Sequence, residues 1–278
     1  MVRDTSRQSF LGISSDQILA DARVGIVGLC GGGSHVAQQL AHIGIGNYVL
    51  CDPDIVESSN LNRMVGANRQ DVDAKRLKVD VVAERILAVN SAATIRRAAG
   101  TWQSFANDLR HCLAVFGCVD SFQERAQLET ICRRFLIPYF DIGMDVTKTD
   151  DGHTISGQVI LSMPGLPCMR CIGFITDEIL ASEAQRYGSA GGRPQVVWPN
   201  GVLASTAIGL FMSTILPWPQ RVETPIYMEY DGNAFRVFPS NRLKVVTGTQ
   251  CRHFSGLDDL GDPFFGRPEL SAAAKACI

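Results

Sequence analysis

Residues 24–34 read VGIVGLCGGGS, an apolar run that passes directly into a glycine-rich turn and then into helical spacing over 34–42. A strand, a tight turn and a helix in this order form the phosphate-binding unit of open α/β sheets. Glycines let the backbone approach a phosphate or ribose closely, and free N–H groups at the helix start favour an anion. The glycines expected at a nucleotide are Gly28, Gly31 and Gly33. Cys30 stands at the position of the middle glycine in the dinucleotide-binding pattern G-x-G-x-x-G, which disfavours an NAD site.

Strand and helix signals alternate through the first 145 residues. The predicted strands cover 24–27, 48–51, 113–117 and 138–142, and the predicted helices cover 34–42, 73–88 and 121–136, the second with Asp73 as its N-cap. Such alternation favours parallel strands with helices on both faces of the sheet. We therefore predict an α/β fold with a doubly wound, mostly parallel, Rossmann-like sheet, whose nucleotide-binding core spans about residues 20–145.

The regular alternation of strand and helix signals ends after Gly143. The predicted segments are, in order, a strand over 158–161, a polar crossover loop over about 172–198, a buried apolar helix over 202–216, and an antiparallel hairpin with strands over 226–230 and 234–238. The hairpin belongs to a small C-terminal antiparallel portion and tail over about 224–278. Because no repeat or low-complexity linker divides the chain, residues 1–278 are expected to form a single domain.

Composition disfavours several classes of protein. The 278 residues carry a formal net charge of −2, which gives no bulk attraction to nucleic acid or to an anionic membrane. The apolar run over 202–216 is shorter than the roughly 20 residues that a bilayer requires, so no membrane span is expected. The first ten residues lack the apolar core of a secretory signal, so we expect the nine cysteines in a reducing, cytoplasmic setting, where metal binding or thiol chemistry is favoured over disulfides.

Asp52 ends the predicted second strand, where a carboxylate can accept hydrogen bonds from both hydroxyls of a ribose. Residues 52–63 then read DPDIVESSNLNR, and this segment is similar to the signature of the ubiquitin-activating-type adenylyltransferases, a family that includes bacterial enzymes of molybdopterin and thiazole biosynthesis. The resemblance implies ATP- and Mg²⁺-dependent adenylation of the C-terminal glycine carboxylate of a small ubiquitin-like or sulfur-carrier protein that ends in Gly-Gly, with release of pyrophosphate.

The resemblance assigns residues by position. Gly31 and Asp52 resemble the adenosine-site residues of the family, Ser59, Asn60, Leu61, Asn62 and Arg63 its phosphate-binding segment, and Lys75 its second phosphate cation. Cations suit this chemistry because a carboxylate must attack a polyanion. Asp120 resembles the aspartate that positions Mg²⁺, and the neighbouring Ser121 is expected at the same nucleotide site. The family usually has Asn at position 121 and also at position 129, where this chain has Glu129. Arg7 resembles an arginine that reaches into the active site of a partner subunit, which implies a homodimer.

Cys168 and Cys171 form a Cys-x-x-Cys pair, half of a tetrahedral thiolate site. In the family that the chain resembles, two such pairs hold a structural zinc. The second pair is expected near Cys251, but the residue three positions on is Phe254, and His253 lies one position earlier. The site is therefore either Cys168, Cys171, Cys251 and His253 with altered geometry, or a degenerate one.

The chain has no cysteine between Cys171 and Cys251, the region where some members of the family carry a residue that forms a thioester or persulfide. We therefore expect this chain to stop at the acyl-adenylate, with thiol capture left to a partner or to the carrier. Cys30, in the glycine-rich turn, is the alternative nucleophile.

Three other functions remain open. A tRNA threonylcarbamoyladenosine cyclase-like, ATP-dependent dehydratase of the same fold shares the ATP motifs and also lacks the crossover cysteine, but its substrate demands a basic face. Cys30 disfavours an NAD-dependent oxidoreductase. An inactive binding protein is disfavoured by the joint presence of Arg63, Lys75 and Asp120.

Overall fold

The computed structural model describes residues 4–185, 194–218, 226–246 and 251–254. Its strands are β1 Arg23–Val27, β2 Asn47–Cys51, β3 Thr94–Ala98, β4 Ala114–Gly117, β5 Tyr139–Thr149, β6 Gly152–Ser162, β7 Tyr227–Asp231 and β8 Arg236–Pro239. They form one sheet in the order β3-β2-β1-β4-β5-β6-β7-β8. Strands β1 to β5 pair in parallel, and β5 to β8 pair antiparallel. The predicted α/β fold, with parallel strands followed by an antiparallel C-terminal portion, is confirmed.

Helices cover both faces of this sheet. The α-helices of the described residues are α1 Ser15–Asp21, α2 Gly31–Ile43, α3 Arg69–Asp73, α4 Lys78–Val89, α5 Ala106–Leu109, α6 Phe122–Arg134, α7 Asp177–Gln185, α8 Val197–Ile215 and α9 Leu243–Val246, and short 3-10 helices lie at Ser6–Leu11, Ser58–Asn60 and Trp102–Phe105. Residues of α2, α4 and α8 pack in one apolar cluster, and α6 packs in the other. None of these described helices combines the length and hydropathy of a bilayer-spanning segment.

Each central strand contributes residues to both apolar clusters, because successive side chains of a strand point to opposite faces of the sheet. On one face the rings of Phe116 and Phe140 stack with centroids 5.1 Å apart, and Phe211 of α8 meets both rings edge-on. On the other face Val115 packs with Leu128 of α6. Burial on both faces explains why the central strands read as continuous apolar runs.

The predicted helix over 73–88 is wrong at its start. Asp73 is the last residue of α3, and the N-cap is Asn68, whose side chain accepts hydrogen bonds from two backbone N–H groups of that helix. A turn follows, in which Lys75 has φ 50, and α4 begins only at Lys78. The end of a separate short helix capped at Asn68 and the turn at Lys75 therefore replace the start of the expected helix, and Lys78 becomes the first residue of α4.

Two further elements differ from the expectations. Strand β3 was not predicted, because it lies at the edge of the sheet and only Ala98 of its five residues is fully buried. Helix α7 occupies part of the expected crossover loop over 172–198. Positions 186–193 of that loop, and the predicted tail beyond residue 254, lie outside the described residues.

Candidate active site

A polar cavity of about 230 Å³ opens at the carboxyl ends of β1, β2 and β4 and beside residues 142–144 of β5, at the edge where open α/β sheets bind ligands. A second cavity, of about 310 Å³, adjoins it. The residues that line both are Cys30, Asp54, Arg63, Lys78, Asp120 and Gln195. The two cavities therefore form one continuous cleft.

The glycine-rich turn forms one wall of this cleft, with Gly28 and Gly31 at its surface. Gly28 has φ +84, and a Cβ there would lie 2.5 Å from the carbonyl oxygen of Cys118, so only glycine fits. Gly33 does not line the cleft; a Cβ on it would lie 1.9 Å from the carbonyl oxygen of Gly28, so it is needed for close packing of helix against turn. Gly31 faces Asn200 of α8. Asn200 also lines the cleft, although no motif in the sequence around it predicts a site residue.

Asp52 is buried at the base of the cleft. One carboxylate oxygen accepts the Leu29 N–H at 2.7 Å, and the other accepts the Asp54 N–H at 2.9 Å. Burial raises the pKa of Asp52, and this outweighs the nearby Lys78 ammonium and the two backbone donors, which lower it. Each oxygen still has a free lone pair, so the carboxylate can accept the ribose hydroxyls expected at this position.

Lys78, rather than the predicted Lys75, lies in the cleft. The Nζ atom of Lys78 is 2.7 Å from an Asp54 carboxylate oxygen and 3.8 Å from one of Asp52. Burial alone lowers the pKa of Lys78, but Asp52 and Asp54 outweigh it and raise the pKa, so the ammonium stays charged. Lys75 is exposed on the turn before α4 and lines neither cavity.

The segment over 59–63 presents Arg63 to the cleft. The buried side chain of Asn60 accepts the Glu57 N–H at 2.9 Å and so fixes the 3-10 turn. Arg63 Nη1 donates to the Ser59 carbonyl at 2.6 Å, while its Nε is buried with no hydrogen-bond partner among the described residues. An orphaned guanidinium N–H in a polar cleft fits an anionic ligand. Ser59 and Asn60 line the second cavity, whereas Leu61 packs against the core.

Asp120 stands exposed at the mouth of the cleft, between β4 and α6. Gln195 donates from its side chain to Asp120 at 3.2 Å, and its carbonyl accepts from the predicted site residue Asn62 at 3.0 Å. Gln195 therefore joins the phosphate-binding segment to the candidate metal carboxylate. Glu124, one turn into α6, also lines the cleft, and burial raises the pKa of its carboxyl group.

Ser121 is the N-cap of α6 and does not line the cleft. Its hydroxyl donates to Glu183 of α7 at 3.0 Å, and the same carboxylate accepts the backbone N–H groups of Phe122 and Gln123 at 2.9 Å. A carboxylate is stabilised at a helix N-terminus by the free N–H groups and the helix dipole. Glu183 thus holds α7 against the N-terminus of α6, next to Asp120.

A buried ion pair forms the far wall of the cleft. Arg125 Nη1 donates to the Asp141 carboxylate, which also accepts the Tyr139 hydroxyl at 3.1 Å. Asp141 has no exposed surface, so the charge of Arg125 is compensated within the protein. This pair has no local signal in the sequence, because Arg125 and Asp141 meet only when α6 packs on β5.

Cys168, Cys171, Cys251 and His253 converge, and the four ligand atoms lie within 4.8 Å of one another. The two sulfurs of Cys168 and Cys171 are 3.6 Å apart, and each is 3.4 Å from His253 Nδ1. Tetrahedral zinc with sulfur ligands at about 2.3 Å separates its ligands by roughly 3.8 Å, so this donor set fits zinc. Of the two expectations, the structure favours the complete four-ligand arrangement over the degenerate one.

Arg7 lies on the 3-10 helix Ser6–Leu11, is exposed, and does not line its own chain's cleft. Arg7 is therefore accessible to a second copy of the chain and contributes no atom to the lining of its own cleft.

A polar cleft at the carboxyl edge of parallel strands in the order 3-2-1-4-5 defines a nucleotide-binding protein of the open α/β class. The chain belongs to the ThiF family, whose model matches residues 4–251.

Two curated relatives differ in what their names say they do. The chain is 34% identical over 152 residues to the tRNA threonylcarbamoyladenosine dehydratase of Escherichia coli, with 51% of this chain and 56% of that protein covered. It is 26% identical over 276 residues to the ubiquitin-like modifier-activating enzyme 5 of Arabidopsis thaliana, with 91% of this chain and 60% of that protein covered. The chain therefore spans less than two thirds of the length of either relative.

Among solved structures, E. coli MccB crystallised with ATP is similar to this chain, with a TM-score of 0.66 and 21% identity. The similarity covers 82% of this chain and 66% of that one. At this identity the comparison establishes the fold.

Proposed function

We propose that the chain adenylates the C-terminal glycine carboxylate of a small ubiquitin-like or sulfur-carrier protein, with ATP as co-substrate and Mg²⁺ as cofactor. The observation that carries this proposal is the convergence of Arg63, Lys78 and Asp120 on one cleft whose base is Asp52. Two cations and one exposed carboxylate suit a metal-bound triphosphate, and a buried carboxylate suits a ribose.

In this reaction an oxygen of the carrier carboxylate attacks the α-phosphorus of ATP. The bond from that phosphorus to the bridging oxygen breaks, and its electron pair leaves with pyrophosphate. Arg63 and Lys78 neutralise charge that develops on the phosphoryl oxygens. Asp120 would hold Mg²⁺, which when bound would supply further charge neutralisation on the triphosphate. Asp52 orients the ribose, and the glycine-rich turn admits the nucleotide close to the backbone.

Substitution of the two lysines distinguishes their roles. We expect Lys78→Met to weaken ATP binding by about tenfold or more, because a buried charge-assisted contact is lost. Lys75→Met, on the exposed turn, is expected to change the Kd for ATP by less than about twofold. Isothermal titration calorimetry with ATP and Mg²⁺ measures both, and thermal unfolding checks that each variant is folded. Weakened binding in the Lys75 variant alone would restore the original assignment.

The proposed assembly is a homodimer, since Arg7 can act on a nucleotide only in a second copy. Light scattering is expected to give twice the 30.2 kDa mass of the chain. The variant Arg7→Ala is expected to stay dimeric and to lose adenylation activity. A monomer with full activity would contradict this assignment.

We propose that Cys168, Cys171, Cys251 and His253 hold a structural Zn²⁺, which would tie the Cys-x-x-Cys turn to the C-terminal segment. None of the described cysteines forms a disulfide, as is usual in a reducing cytoplasm, where we propose that the protein works.

The dehydratase reaction on tRNA is the second candidate, because the E. coli dehydratase is 34% identical over half of this chain. That reaction would use the same ATP cleft but a nucleic acid substrate. Mass spectrometry of the products separates the two functions. Incubation with ATP and a carrier ending in Gly-Gly is expected to yield the carrier adenylate, whereas modification of tRNA without any carrier adenylate would favour the second candidate.

A further inference from the structure

Helix α6 carries a buried stripe of charged side chains. Arg125, Glu129 and Arg133 lie four residues apart, so they share one face of the helix, and they are only 6%, 2% and 1% exposed. Arg125 pairs with Asp141 at the nucleotide cleft. The other two residues extend away from the cleft, toward the cysteine and histidine cluster.

Glu129 holds the first pair of metal ligands. Its carboxylate accepts the backbone N–H of Met169 at 2.8 Å, and it also accepts the hydroxyl of Ser162. Met169 lies between Cys168 and Cys171, so this hydrogen bond fixes the Cys-x-x-Cys turn itself. Asn, which the resemblance would place at this position, is one methylene shorter and uncharged.

Arg133 contacts the residue that follows the second pair of candidate ligands, Cys251 and His253. Its Nε donates to Ser162 at 2.8 Å and lies 3.7 Å from the Glu129 carboxylate, which it neutralises. Its guanidinium lies 5.1 Å from the centre of the Phe254 ring, a cation–π contact. Phe254 directly follows His253, so the contact anchors the segment that supplies the last two ligands.

We propose that Glu129, Arg133 and Phe254 form a clamp that positions both ligand segments for the metal, so that α6 sets the affinity of the site. The inference rests on the proposed zinc site. Residues that orient metal ligands commonly change metal affinity by about 10- to 100-fold. Here the ligand pairs are 80 residues apart in sequence, and a preformed clamp lowers the entropy cost of bringing them together.

Cobalt(II) titration of the full chain tests the clamp, because tetrahedral cobalt with thiolate ligands absorbs visible light. We expect Phe254→Leu to weaken cobalt binding by about fivefold or more, since the cation–π contact is lost. Phe254→Tyr keeps an aromatic ring and is expected to restore affinity to within about twofold of wild type. Glu129→Gln is expected to weaken binding by about tenfold. Arg134→Gln removes one charge from the exposed face of α6 and serves as the matched control.

The outcomes separate the clamp from the metal site. Wild-type cobalt affinity in both Phe254→Leu and Glu129→Gln would overturn the clamp and leave the site intact. Absence of the cobalt–thiolate bands from the wild-type protein would overturn the site and the clamp with it. Phe254 is only half-buried, so its variants keep the test valid even if Glu129→Gln does not fold.

Discussion

Replacement of Asp120 by Asn is expected to lower ATP–pyrophosphate exchange by about 1,000-fold in the presence of an accepted carrier protein. Asn keeps the size of the side chain and can still accept the hydrogen bond from Gln195. It lacks the negative charge that would hold Mg²⁺ against the triphosphate at the mouth of the cleft. Incorporation of labelled pyrophosphate into ATP measures the effect directly.

A matched control makes the same change of charge far from the cleft. Asp150 lies at the exposed turn between β5 and β6, so Asp150→Asn is expected to leave exchange within about twofold of wild type. Retention of more than about a tenth of the wild-type rate by Asp120→Asn would show that this carboxylate is not central to the reaction.

Replacement of Cys168 by Ser is expected to remove the zinc and to lower the melting temperature by about 10 °C. Cys168 is 1% exposed, and its sulfur lies 3.6 Å from the sulfur of Cys171 and 3.4 Å from Nδ1 of His253, separations that suit two ligands of one zinc ion. Structural zinc contributes its binding free energy to folding, so loss of one thiolate destabilises the folded chain by several kcal/mol. Elemental analysis and thermal unfolding measure the two effects.

Cys30→Ser is the matched control, because Cys30 lines the nucleotide cleft and is absent from the metal cluster. Its zinc content is expected to equal that of wild type, about one equivalent per chain. Less than about half an equivalent in wild-type protein purified without chelator would contradict the four-ligand site.

Much of the cleft could be predicted because its residues follow strand ends. Gly28 and Asp52 come directly after β1 and β2, Asp120 follows β4 after Cys118 and Val119, and parallel strands bring their carboxyl ends to one edge of the sheet. The signature over 59–63 is equally local, since Asn60 fixes the turn that presents Arg63.

What could not be predicted depends on local caps or on packing between distant segments. The helix capped at Asn68 ends at Asp73, and after the turn at Lys75 helix α4 begins only at Lys78, so Lys78 lines the cleft in place of Lys75. Glu183 and Gln195 contact the cleft's edge from segments more than 60 residues away in the chain. Their polar types and spacing carry no periodic signal, so only the folded chain reveals them.

ATP–pyrophosphate exchange by the wild-type chain tests the central claim most directly, with three substrates compared: a panel of small proteins ending in Gly-Gly, the same proteins without the last glycine, and tRNA. An enzyme that adenylates a carrier is expected to exchange pyrophosphate only with a protein that keeps the intact Gly-Gly end. Absence of exchange with every carrier, together with ATP turnover on tRNA, would contradict the proposed function.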